Sequence, residues 1–122
     1  MLSSKRQIDN IPNIHTSFTV LGNHKGLKFI KLSDIRFDEK IADMVQANNA
    51  VFPSKLLNNL YAIDTFALTQ ERLDHILKGY DTGLPPIYVE ESFGSKYTLI
   101  NGRHRLTATI LRRDSIVPSV II

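Results

Sequence analysis

The 122-residue sequence predicts one α+β domain, and three observations carry that prediction. Apolar residues recur at helical spacing in residues 38–49 and 69–80, and they alternate with period two in residues 84–100. A glycine turn at Asn101-Gly102 then joins a strand to a further helix and a closing strand. No linker, internal repeat or low-complexity tract divides these segments, so a single core is expected.

The elements follow in chain order. Residues 1–26 read as an N-terminal arm or loose hairpin, polar with isolated apolar positions and with Gly22-Asn23-His24-Lys25-Gly26 as a turn. Residues 27–32 have strand character, with Leu27, Phe29 and Lys31 on one face, and residues 33–38 follow as a turn. Asp38 is placed to cap a helix in which Ile41, Met44 and Val45 share a face, ending near Asn48-Asn49. Pro53-Ser54 opens a short helix carrying Leu56, Leu57, Leu60 and Tyr61. Thr69 is a good N-cap and Glu71 suits the positive end of a helix dipole. Leu73, Ile76, Leu77 and Tyr80 then fall at i, i+3, i+4 and i+7, before Gly79 and Gly83 end the run. Pro85-Pro86 force an extended backbone into the strand Ile87-Tyr88-Val89, and Phe93-Gly94-Ser95 turns the chain back into Tyr97-Thr98-Leu99-Ile100 as a hairpin. A helix over residues 103–112, with Leu106, Ile110 and Leu111 inward, precedes a last strand over residues 116–122.

The formal charge of +3 favours anionic partners, and the dense basic cluster runs from Arg103 to Arg113. Cysteine is absent, which excludes disulfides, thiolate zinc sites, a cysteine nucleophile and thiol redox chemistry. The histidines, His15, His24, His75 and His104, show no zinc spacing, and no intrinsic metal is expected. No stretch approaches the roughly 18 apolar residues of a membrane span, and no apolar signal core follows the N-terminus. A cytoplasmic protein without a membrane partner is expected. Gly22-Asn23-His24-Lys25-Gly26 lacks the spacing of a phosphate-binding P-loop.

The strand, glycine turn and basic helix start are the feature that carries chemistry. Glycine permits backbone angles closed to other residues, and the first N–H groups of a helix have no intrahelical partner. The helix dipole adds partial positive charge there, and Arg103, His104 and Arg105 add charge-assisted donors. Successive residues differ by roughly 100° around the axis, so at most two of the three face one phosphate. Solvated basic residues at an ordinary helix start are the competing reading.

Residues 66–122 contain Thr69-Gln70-Glu71-Arg72-Leu73, Leu84-Pro85-Pro86-Ile87-Tyr88-Val89, the run Tyr97-Thr98-Leu99-Ile100-Asn101-Gly102-Arg103-His104-Arg105-Leu106-Thr107-Ala108, and Ile116-Val117-Pro118. In that order they resemble the ParB N-terminal/sulfiredoxin superfamily. Phe29-Ile30-Lys31-Leu32-Ser33-Asp34-Ile35 is similar to the family's opening strand and turn. The resemblance implies a ParB/sulfiredoxin-like domain over residues 27–122, a small mixed sheet packed against several helices. It implies a nucleotide, CTP or ATP/ADP with Mg2+, held by its phosphates at Asn101, Gly102, Arg103, His104 and Arg105, chiefly Gly102, His104 and Arg105. Arg72, on the first turn of the preceding helix, and His75 a turn later are the implied further contacts.

Sulfiredoxin chemistry needs a cysteine just before His-Arg, where this chain has Arg103. That activity is excluded. ParB proteins usually carry an acidic residue after the glycine and continue into DNA-reading modules, so centromere binding is not expected of this chain alone. A nucleotide-binding domain in a DNA-linked process is the first expectation. A DNA-binding protein or ParB-like nuclease using the same turn on backbone phosphates is the second, with His104 as its candidate base. A small kinase is the third, with Asp64, Glu71 and Asp74 as candidate acids. A member that binds only another protein is the remaining alternative.

Overall fold

Six strands form one mixed sheet: β1 (Leu27–Lys31), β2 (Ile35–Asp38), β3 (Leu60–Tyr61), β4 (Ile87–Glu91), β5 (Tyr97–Asn101) and β6 (Ile116–Ile121). Their order across the sheet is β1-β6-β4-β5-β2-β3. The computed structural model describes residues 16–122; residues 1–15 of the expected arm, His15 among them, lie outside the described residues. β1 runs antiparallel to β6 and β4 antiparallel to β5, while β6–β4, β5–β2 and β2–β3 are parallel pairs.

Among the described residues three α-helices, α1 (Lys40–Ala47), α2 (Gln70–Gly79) and α3 (Arg103–Leu111), accompany the sheet, and α3 packs against both others. Residues 106–110 of α3 are all buried, as expected of a helix surrounded by core. Thr107 and Thr109 fit this position because each hydroxyl donates to the carbonyl four residues back, on Arg103 (2.8 Å) and Arg105 (2.9 Å). Ile35, Phe37, Ile87, Val89 and Val117 are fully buried sheet residues, and Leu73 of α2 and Tyr80, which follows its last residue, are fully buried too. On β1 the expected alternation holds, with Ile30 inward against Val117 and Phe29 on the outer face.

Two expected elements take different forms. Residues 35–38, expected within a turn, are β2. Ile35 and Phe37 alternate with Arg36 as a half-buried strand requires. The polar residues Ser33, Asp34 and Asp38 around so short a run imitate a turn, and its pairing partners lie far along the chain. Residues 54–61, expected as one short helix, are a 3₁₀ helix over Ser54–Asn59 followed by β3. Three residues per turn set Leu56 and Asn59 on one side, and these two are buried while Leu57 is exposed. Asn59 Nδ2 donates to the carbonyls of Ser33 (2.8 Å) and Ile35 (3.0 Å), fixing the start of β2.

The described part of the arm lies against the link between α2 and β4. Val20 bridges Leu84, Thr19 N–H donates to Tyr80 O (3.1 Å), and Leu21 N–H donates to Leu84 O (2.8 Å). Phe18 is buried edge-on to Tyr80, with ring centroids 5.2 Å apart. Among the described residues no helix is long and apolar enough to cross a membrane.

Candidate functional site

The sheet delivers the chain to the site at the end of β5. Gly102 has φ 111° and ψ 34°, in the left-handed region, and a Cβ there would lie 2.7 Å from Ile87 Cγ2. Only glycine meets both conditions, so the backbone approaches β4 closely and α3 begins at once. The first α3 bond runs from Leu106 N–H to Gly102 O (2.8 Å). The N–H groups of Arg103, His104 and Arg105 precede it and have no helical acceptor.

The three basic side chains do different work. Arg103 turns to β2, where Nε and Nη2 donate to Asp38 Oδ2 (2.8 Å) and Oδ1 (3.0 Å), and its Nη1 donates to Phe66 O. Asp38, expected to cap α1, is instead the last residue of β2; the N-cap is Glu39, and Asp38 joins the bidentate ion pair to a bond from Lys40 N–H at 3.1 Å. Arg105 folds back on the turn. Its Nη1 donates to the carbonyls of Pro85 (3.0 Å) and Pro86, and its Nη2 to Asn101 Oδ1 (2.7 Å). Burial, followed by the charge of Arg72, lowers its pKa, partly offset by Tyr88, and a guanidinium stays charged through such a shift.

His104 links two helix starts. Its Nε2 accepts the N–H of Thr69, the N-cap of α2, at 3.0 Å, and Thr69 Oγ1 in turn accepts Arg72 N–H at 3.4 Å. Burial, then the charges of Arg72 and Arg103, hold the His104 pKa below the ordinary histidine value. The ring is therefore neutral near pH 7 with its proton on Nδ1, since Nε2 is an acceptor. That leaves Nδ1–H as a donor.

The first turns of α2 and α3 thus meet, with Asn101, Gly102, Arg103, His104, Arg105 and Arg72 assembled around them. The Arg72 guanidinium is exposed and makes no ion pair among the described residues. His75 stands exposed one turn further along α2. The loop of residues 62–69 is fastened across the site by Lys40 Nζ on Thr65 O, by Arg103 on Phe66 O and by His104 on Thr69. Sequence reasoning missed the Asp38–Arg103 pair, and a strand reading of residues 35–38 is the signal that exposes it. Asp64, Glu71 and Asp74 are exposed, and Asp74 Oδ1 accepts Gln70 Nε2 at 2.8 Å. Among the described residues no cluster of three histidines or carboxylates forms a metal site. In chemical terms the assembly brings together groups that can donate to an anion: main-chain N–H groups at a helix start and the unpaired Arg72 guanidinium, with an imidazole beside them.

No protein-family model and no curated protein matches the chain. Among solved structures it is similar to the sulfiredoxin from Arabidopsis thaliana, at 19% identity and a TM-score of 0.51 over 79% of this chain and 83% of that one. The chain has the ParB/sulfiredoxin fold, an α+β fold built on a mixed six-stranded sheet.

Proposed function

We propose that the chain binds a nucleotide by its phosphates at the joined first turns of α2 and α3, with CTP and ATP/ADP as candidates and Mg2+ accompanying the polyphosphate. The observation that carries this reading is the His104–Thr69 hydrogen bond (3.0 Å), which brings two helix starts and Arg72 to one place. Each helix start contributes partial positive charge and unshared N–H groups, and together they suit a ligand with more than one phosphate. The resemblance of residues 66–122 supports the same assignment. A place in a DNA-linked process rests on that resemblance alone.

Arg103 is not counted among the phosphate-contacting side chains in this reading. Its guanidinium is held by Asp38, and its N–H alone is directed by the helix start. Arg105 acts chiefly by clamping Pro85, Pro86 and Asn101 so that the turn keeps its shape. His104 supplies Nδ1–H, and Arg72 supplies the mobile positive charge.

Calorimetric titration with ATP, ADP, CTP and GTP, each with Mg2+, tests the proposal. One nucleotide is expected to bind, and Arg72→Ala to weaken it about tenfold or more, the scale of one charge-assisted contact of about 1.5–3 kcal/mol, without lowering Tm. Absence of binding by all four at millimolar concentration contradicts the reading. Duplex DNA binding that falls steeply with salt would then favour the backbone-phosphate alternative.

A further inference from the structure

We propose that the cavity at the C-terminal end of α3 is a second ligand site, for a small organic acid with one carboxylate on an apolar body. The cavity has a volume of about 800 Å³, within the usual range of small-molecule sites. α3 has nine residues and is therefore about 13 Å long, which separates this cavity from the Gly102 turn at the other end.

The floor is apolar, formed by the buried side chains of Leu32, Leu56 and Ile110, with Leu111 half-buried beside them. Val51 stands at the lip at 92% exposure, an apolar side chain facing water next to an apolar floor. Lys31, Lys55 and Arg113 line the rim, all exposed and none in an ion pair among the described residues. The carboxylate in the wall, Asp114, has Oδ2 engaged by Tyr80 O–H (2.6 Å) and Ser17 N–H (2.8 Å).

Helices α1 and α3 both finish at the cavity, where Asn49 and Arg113 each adopt φ 61° in the position after the helix that glycine usually fills. Arginine there accepts backbone strain and places a guanidinium on the rim. Helix C-termini carry partial negative charge and Asp114 adds a carboxylate to the wall, so the attraction for an anion comes only from Lys31, Lys55 and Arg113 at the rim. A single carboxylate held at the rim, with its apolar body on the Leu32–Leu56–Ile110 floor, matches that division.

Amide-resolved NMR titration of the full chain with naphthalene-2-carboxylate, and with its neutral carboxamide, tests the site. Saturable shifts are expected at Leu56, Ile110 and Ser115, with the carboxamide at least tenfold weaker. Arg113→Gly combined with Lys55→Ala is expected to weaken the carboxylate about tenfold, while the glycine keeps the left-handed turn and so the fold. Equal binding of the two compounds, no saturation by about 10 mM, a scale far weaker than useful ligand recognition, or shifts centred on Arg103 and His104 would each overturn the proposal.

Discussion

A methyl group on Gly102 would stand 2.7 Å from Ile87 Cγ2 at a φ of 111°, so two separate penalties meet at one residue. Gly102→Ala is expected to destabilise the fold by about 2–4 kcal/mol, combining left-handed strain with overpacking, read as a lower urea midpoint. Gly26→Ala is the control. Its φ is 80° but its Cβ would meet open space, so about 1–2 kcal/mol is expected. The Asp38–Arg103 pair makes a second residue-scale prediction. Asp38→Ala leaves a guanidinium without its anion at a site where the Arg103 side chain is 21% exposed, and a loss of about 3 kcal/mol is expected by chemical denaturation.

His104 gives the pH dependence. Its folded pKa lies below the value of about 6.5 in the unfolded chain, so on acidification the unfolded state takes up the proton first. The stability it contributes is complete above about pH 6.5 and is lost as pH falls from there through the folded pKa. Protonation at Nε2 would also set two donors face to face with Thr69 N–H. Denaturation midpoints measured at about pH 7 and about pH 5 should therefore fall less in His104→Ala than in the wild type.

Among the elements, those with local signals were legible in the sequence. α2 announces itself through Thr69, which does cap it, and through the spacing of Leu73, Ile76, Leu77 and Tyr80. The β4–β5 hairpin and the Gly102 start of α3 were equally plain, because turn residues and period-two alternation act over a few positions. β2 was not, since four residues become a strand only through pairing with β5 and β3. The site shows the same division. The composition of the turn marked Asn101 to Arg105, but no local feature tells that Arg103 is held by Asp38 or that His104 reaches Thr69.

The segment of residues 16–21 belongs to this scale too. It is held to the link between α2 and β4 and, through Ser17, to Asp114, which also accepts Tyr80 O–H. Burial, then the bond to Asp114, raises the Tyr80 pKa well above the ordinary phenol value. Tyr80→Phe removes one hydrogen bond to a charged acceptor. A loss of about 1.5–3 kcal/mol is expected, with faster hydrogen exchange at the Thr19 and Leu21 amides.

For the whole molecule, the fold it shares with a sulfiredoxin is built from a sequence without cysteine, and at its glycine turn Arg103 pairs with Asp38. The first turns of α2 and α3 meet at one end of α3, and a separate cavity lies at its other end. In the proposed complex, nucleotide phosphates sit on the N–H groups of the α3 start. Amide-resolved NMR of the full chain with the nucleotide that binds most tightly tests it directly. Large shifts are expected at the Arg103, His104 and Arg105 amides, reproduced in part by inorganic triphosphate. Saturable binding that leaves those three amides unmoved would contradict it.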